Sequence, residues 1–246
     1  MNDNLVLICG ESKGGKSASL RNIKEPDGVI YCNCENGKKL TFDDVQFRQI
    51  TIIDPLTLYA IFDKAEKSSK IHTIIVDSLT YMMDMYYTLH VATATDTQKA
   101  WGSYSEFFRK LMQYYVAKST KNVIFTAHTL SVFNETESLI EKKVPIKGSL
   151  KNIGIESFFS VVVAAKKVPL KTLEDYENPL LTHNEEEKSI GIKHVFQTRL
   201  TKETVNERVS SPMSMWRIQE TYIDNDVQLV LDKLSGYYGT NMAQAA

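Results

Sequence analysis

Cysteine is scarce in this sequence: Cys9, Cys32 and Cys34 are three residues in a chain of 246. None of them makes a Cys-x-x-Cys pair, which argues against a zinc ribbon or a disulfide framework. Each falls in an apolar stretch, where a reduced cysteine serves as a small apolar side chain. A surplus of charge is missing too. With 29 Lys and Arg against 30 Asp and Glu the net charge is -1, so contact with a polyanion would need a local basic surface. No apolar run approaches the ~18 residues of a membrane helix. The opening "MNDNLVLICG" has no basic leader, and no small-residue cleavage site after a longer apolar run. The expectation is a cytoplasmic chain with no membrane partner, without internal repeats or low-complexity tracts.

What is present is an ordinary globular composition, 43% apolar and 24% charged, in a length that suits one α/β domain. The domain is expected over 1–236, with a loose tail over 237–246. Periodicity predicts strands near 5–9, 28–34, 46–53, 71–77, 122–127, 157–165, 190–199 and 213–219. It predicts helices over 16–22, 55–68, 79–92 and 99–118. Trp101, Tyr104, Phe108, Leu111, Met112 and Tyr115 share one face of the last of these and read as core. Strand-helix alternation to residue 127 implies right-handed crossovers, hence a mostly parallel central sheet flanked by helices. The later strands read as antiparallel additions at one edge, and the polar stretch 171–189 as an exposed excursion.

Chemistry enters at "GESKGGKS", residues 10–17, which fits G-x-x-x-x-G-K-[ST] between a strand and a helical stretch. Gly10, Gly14 and Gly15 let the backbone wrap so that the N–H groups from Glu11, Ser12 and Lys13 through Ala18 can face phosphate oxygens. Lys16 supplies a cation to the β- and γ-phosphates, and Ser17 a hydroxyl to Mg²⁺. Lys13 reads as solvent-facing, within reach of phosphate. Asp77 closes "HTIIVD" at a strand's carboxyl end and is the expected magnesium carboxylate; it also stands where it could cap the helix from 79. The seat after it, where many ATPases carry a glutamate, holds Ser78, so a hydrolytic base must come from elsewhere. Glu35, closing "VIYCNCEN", is the best placed carboxylate to accept a proton from an in-line water.

The order "GESKGGKS", "CNCEN", "TIIVDS", "NVIFTAHT" resembles the RecA/RadA recombinase ATPase core, most closely the short phage RecA-like ATPases of single-strand annealing and recombination. The resemblance runs from about residue 4 to 220. It implies a P-loop NTPase of RecA-like type, binding ATP and Mg²⁺, with Glu35 as base and His128 sensing the γ-phosphate. It places Arg199 and Lys202 where basic residues reach a neighbouring subunit's nucleotide, although both could simply lie along an edge strand. The family's mobile DNA loop corresponds to 129–152, where Lys142, Lys143, Lys147 and Lys151 could track a sugar-phosphate backbone and Phe133 could stack on a base. The first DNA loop corresponds to 91–100, with Lys99 its only cation.

The implied partners are single-stranded DNA, copies of the same chain in a head-to-tail ring or filament, and a single-strand-binding protein; a phage-encoded chain would work in the host cytoplasm. The expected activity is a Mg²⁺-dependent ATPase stimulated by single-stranded DNA. Two departures from full recombinases stand out: the core begins within a few residues of Met1, and no separate DNA-binding domain is visible. A hexameric helicase or loader core and a nucleotide-gated scaffold with little turnover remain open. A small-molecule kinase is disfavoured by the absence of an arginine-rich lid.

Overall fold

The buried strands are those whose sequences leave no polar face. "LVLICG" and "TIIVD" are β-branched or apolar almost throughout and are buried along their whole length, as central parallel strands must be. A computed structural model describes residues 2–42, 46–135 and 138–244. In chain order the elements are β1 (Leu5–Gly10), β2 (Val29–Asn33), β3 (Arg48–Thr51), α1 (Thr57–Glu66), β4 (Thr73–Asp77), α2 (Leu79–Tyr86) and α3 (Thr97–Lys110). There follow β5 (Asn122–His128), β6 (Leu130–Asn134), β7 (Leu139–Lys143), α4 (Leu150–Ile153), β8 (Val161–Pro169), α5 (Leu170–Leu173), α6 (Glu185–Ile190), β9 (Ile192–Gln197), β10 (Tyr222–Asp224) and α7 (Val227–Gln244).

Among the described residues, eight strands form one sheet in the order β10-β9-β8-β1-β5-β4-β2-β3. The pairings from β3 to β8 are parallel, and β9 and β10 add antiparallel at one edge. This is the mixed, mostly parallel sheet of a P-loop NTPase fold. Alternation sorts side chains between two cores. Leu5, Leu7, Cys9, Ile74, Val76, Val123 and Phe125 face the layer of α1, α2 and α3. Val6, Ile8, Tyr31, Ile75, Ile124, Val161 and Val163 face α7, which answers with Val227, Val230, Leu231 and Leu234 at helical spacing. The stripe on α3 and its continuation is core as read: Tyr104, Phe108, Leu111 and Met112 are buried, with Trp101 and Tyr115 packed against them.

Register brings chemistry to one edge. Gly10 pairs with His128 across β1 and β5, and Asn33 pairs with Asp77 across β2 and β4. The carboxyl ends of four adjacent strands therefore open on a common crevice, the usual ligand position in such sheets.

Several expectations need correction. In place of a helix over 16–22 there is a single 3-10 helix, Ser17–Leu20, within which the Ser19 hydroxyl bonds back to Lys16 O and competes with helical bonding. The apolar alternation of 213–219 is not a strand: Met215 and Trp216 are buried while Met213 and Ile218 are exposed, and the edge strand is β10 instead. The stretch expected as a tail from 237 is helical as far as Gln244, the end of α7; Gly236 and Gly239 weaken its sequence signal, and residues 245–246 lie outside the described residues. The stretch 171–189 is exposed in part, but Leu173 and Leu181 anchor it in a small core with Val168, Val195 and Tyr222. The segment 129–152 contains the antiparallel β6–β7 hairpin and α4, with 136–137 outside the described residues. Among the described residues no helix is long and apolar enough to cross a membrane.

Candidate functional site

The loop after β1 is shaped by its glycines. A Cβ on Gly10 would lie 2.6 Å from the carbonyl oxygen of Ala165, and one on Gly14 would lie 2.8 Å from the same atom, so β8 supports the loop only where side chains are missing. Gly15 has φ +100°, a conformation that L side chains rarely adopt. Lys16 turns back into this loop. Its Nζ donates to Gly10 O at 3.0 Å and Glu11 O at 2.9 Å, holding the cation where phosphates would replace the carbonyls. Burial lowers the Lys16 pKa, while Asp77 and Glu35 work against that shift.

Asp77 is only 1% exposed and is surrounded by donors. Ser17 Oγ and Tyr31 OH each donate to its Oδ2 at 2.8 Å, and Thr126 Oγ1 donates to its Oδ1. Burial, then the Asp77 charge, pushes the Tyr31 phenol far above its ordinary range, so it remains a donor. The hydrogen bond between Ser17 Oγ and Asp77 Oδ2, 2.8 Å long, puts a hydroxyl and a carboxylate side by side, the kinds of oxygen that Mg²⁺ would take. Among the described residues no cluster of three or more His, Cys, Asp or Glu could hold a metal.

Glu35 reaches the same crevice by way of a tight turn. Its N–H donates to Asn33 Oδ1 at 2.9 Å, and Asn36 and Gly37 both carry positive φ, as the Asn-Gly dipeptide favours. Although β2 is separated from β1 by β4 and β5, the turn carries Glu35 back over His128. His128 Nε2 stands 3.2 Å from Glu35 Oε1 and Nδ1 stands 3.4 Å from Lys16 Nζ. A lysine offers only donors, so we assign Nδ1 as acceptor and the ring proton to Nε2, directed at Glu35. The hydrogen bond from His128 is the largest cause that brings the Glu35 carboxyl down to about 2, and Lys38, 3.3 Å away, adds to it. His128 is fixed in turn, its backbone N–H donating to Thr80 Oγ1 at 2.9 Å and its ring meeting Tyr81 edge-on.

The structure thus gathers Lys16, Ser17, Glu35, Asp77 and His128, with Gly10 to Ala18 as the loop beneath them. Tyr31, Thr126 and Thr80 were missed from sequence. The available signal was a hydroxyl inside an otherwise apolar buried strand, as in "VIYCN" and "NVIFTAH", because such a group needs a partner.

Other expected site residues lie apart. Arg199 Nη1 donates to Trp216 O at 2.9 Å, and Lys202 is 91% exposed beside Glu203; neither belongs to the gathered group. Phe133 is 61% exposed on the hairpin, paired across it with Ile140. The lysines of this region are not a free basic cluster. Lys142 pairs with Glu11 at 3.1 Å and with Glu207 at 3.8 Å, and Lys143 pairs with Glu141 at 3.1 Å. Lys147 pairs with Asp84 at 2.9 Å and sits over the Tyr87 ring, and Lys151 lies on α4. Lys99 is in the first turn of α3, whose N-cap is Asp96, so it is not in a loop.

A family model described as AAA domain matches residues 2–188, well over half of the chain. No curated protein matches it.

Proposed function

The chain belongs to this AAA domain family, an AAA/P-loop ATPase-like family of nucleotide-binding proteins, and from that premise we propose that it is a Mg²⁺-dependent ATPase of RecA-like type in which Glu35 is the hydrolytic base. The observation that carries this reading is the chain of contacts Lys16–His128–Glu35, at 3.4 and 3.2 Å, beside the Ser17–Asp77 pair. Mg²⁺, when bound, would neutralise negative charge on the phosphate groups. Ser17 and Asp77 would hold it, and Tyr31 and Thr126 keep the Asp77 carboxylate from turning away. Lys16 exchanges its two carbonyl acceptors for phosphate oxygens.

In the resting arrangement Glu35 is a weak base, since His128 holds its pKa low. A γ-phosphate near Lys16 and His128 brings negative charge close to Glu35 and competes for the Nε2 proton. Both effects raise the carboxyl pKa toward a useful range and free it to take a proton from an attacking water. His128 is in this way the residue that reports γ-phosphate. The decisive experiment is single-site turnover: Lys16→Ala abolishes it, and Glu35→Gln retains ATP binding while losing hydrolysis. Undiminished turnover in Glu35→Gln would assign the base elsewhere.

We place this activity in single-stranded DNA binding by a head-to-tail homo-oligomer, in phage-type recombination or annealing. What supports it is continuity between cradle and hairpin: Thr129 N–H donates to Gly10 O at 3.1 Å, and Lys142 spans to Glu11 of the loop. Phosphate arriving at the loop would disturb that ion pair and alter the hairpin. Turnover that rises with added single-stranded DNA supports the assignment, and indifference to DNA removes it. A second reading, a nucleotide-gated scaffold that does not bind DNA, is favoured by the internal pairing of Lys142, Lys143 and Lys147.

A further inference from the structure

His128 joins the two charged ends of the site, yet its ring is lightly held by polar contacts. Nε2 stands 3.2 Å from Glu35 Oε1 and Nδ1 stands 3.4 Å from Lys16 Nζ, the first at the long end of ordinary hydrogen bonds and the second beyond it. The backbone N–H is tied to Thr80 Oγ1 at 2.9 Å, which fixes the main chain and does not set the rotation of the imidazole. What meets the ring itself is Tyr81, with centroids 5.6 Å apart and planes at 71°. That is an edge-to-face arrangement, one that aromatic pairs favour.

The core does not put Tyr81 there. In α2 the buried face is made by Leu79, Met82, Met83 and Tyr86, whereas Tyr81 points off that face and is 42% exposed. Beside it lies a cavity of about 270 Å³, bounded by Met83, Asp84 and Tyr104 and closed by Pro145 and Ile146. A ring with water on one side and a void on another is not locked by close packing. Its phenol oxygen makes no hydrogen bond among the described residues, and its one aromatic partner there is His128. Packing alone gives no reason for a large ring at this position.

The two polar contacts of the imidazole depend on one rotation. A half-turn about Cβ–Cγ puts carbon atoms where both nitrogens stand, so Glu35 would lose its donor and Lys16 its acceptor together. A ring set against the imidazole resists that turn. We propose that Tyr81 is a positioning residue of the reaction, its ring holding His128 in the rotation that aims Nε2–H at Glu35 and Nδ1 at Lys16. The assignment rests on the nucleotide reading above and extends it to a residue that acts through the sensor and not on the nucleotide. Thr80 and Tyr81, adjacent in the first turn of α2, then divide the work: one fixes the backbone of His128 and the other its ring.

The test compares Tyr81→Ala and Tyr81→Phe with the parent protein by ATP turnover, ATP affinity, thermal melting and the Glu35 carboxyl midpoint followed by carbon NMR. Tyr81→Ala should lower kcat about two- to tenfold, the scale of one edge-on ring pair, with ATP affinity unchanged. Its Glu35 midpoint should climb from about 2, because the His128 donor is then aimed at the carboxylate for only part of the time. Tyr81→Phe, the conservative variant, keeps the ring and should retain both kcat and midpoint. A midpoint unmoved in Tyr81→Ala overturns the proposal whatever happens to turnover, since a residue that only supports the fold lowers the melting temperature without reaching the carboxyl. Tyr81→Phe as impaired as Tyr81→Ala also overturns it, by placing the effect in the phenol oxygen. If the parent protein shows no ATP turnover, the hydrolytic reading fails, and the midpoint, read on the nucleotide-free protein, still decides the role of Tyr81.

Discussion

The crevice at the strand ends and the hairpin that follows it are both rich in charge, but they treat charge in opposite ways. At the crevice, side chains from β2, β4 and β5 and from the phosphate loop converge: Asp77 takes three hydroxyl donors, and His128 stands between a cation and a carboxylate. On the hairpin and the segment after it, each of Lys142, Lys143 and Lys147 has found an acid within 3.1 Å and faces no shared point. Convergence of buried, hydrogen-bonded groups requires a structure that fixes them and marks a place where a ligand's charge is handled. Dispersed, half-exposed pairs are worth little to stability, and each must be broken before it can serve a polyanion.

The comparison breaks most visibly at Lys16 and Glu35. Lys16→Ala should lower ATP turnover by at least about a hundredfold through lost charge stabilisation, and Glu35→Gln by about 10² to 10⁴, the usual span for a general base, with nucleotide still bound in the second case. Steady-state hydrolysis and equilibrium binding on the same preparations separate the two. Loss of binding in Glu35→Gln would make Glu35 part of the cradle and not of the chemistry.

Next in size is Tyr31→Phe. It removes one hydrogen bond to a buried carboxylate, a contact of about 1.5–3 kcal/mol. The released Asp77 oxygen should weaken Mg²⁺ use, seen as a several-fold higher Mg²⁺ requirement for nucleotide binding, with nucleotide affinity in chelator unchanged. Equal weakening with and without Mg²⁺ would reduce Tyr31 to a packing role.

A smaller effect concerns pH. The Glu35 carboxyl sits at about 2 in the folded chain against an ordinary 4.5. A depressed folded value stabilises the native state fully above the ordinary carboxylate range and loses that contribution as pH falls toward 2. His128→Ala removes the largest cause, so the carboxyl midpoint followed by carbon NMR should rise toward 4.5, and the stability that Glu35 loses as pH falls from the ordinary carboxylate range toward 2 should shrink. A midpoint that stays put would leave Lys38 as the group holding it.

How much of this could be read beforehand follows the same division. The strands, their parallel order and the positions of Lys16, Ser17 and Asp77 at strand ends were legible because an apolar run ending on a glycine or an acid states both burial and an exit point. Glu35 was legible as a carboxylate at a strand end, but its contact with His128 was not, since β4 lies between their two strands and a turn of positive-φ residues closes the gap. Tyr31 and Thr126 were hidden because a single polar atom in an apolar strand does not say which neighbour will receive it. On the hairpin the sequence showed lysines and could not show their acids. Glu11, Asp84 and Glu207 are distant along the chain from Lys142 and Lys147 and meet them only through the fold. The helix over 227–244 escaped for a different reason, as its glycines dilute the periodicity that packing nonetheless uses.

The smallest expected effect tests the hairpin most directly. If single-stranded DNA binds there, phosphates compete with Asp84 for Lys147, and removing the acid should help. Asp84→Ala should raise affinity by two- to threefold at low salt, about the value of one exposed ion pair. Lys147→Ala should lower it, and the two changes should move the salt slope in opposite senses by up to about 0.7, the counterion release of one single-strand phosphate contact. Fluorescence anisotropy with a labelled oligonucleotide at several salt concentrations reads both quantities. Silence in both variants would mean that Lys147 keeps Asp84 and Tyr87 as its only partners in the complex. The hairpin base would then be a structural brace between α2 and the segment leading to α4, and DNA contact, if any, would fall to Lys151 and the exposed Phe133.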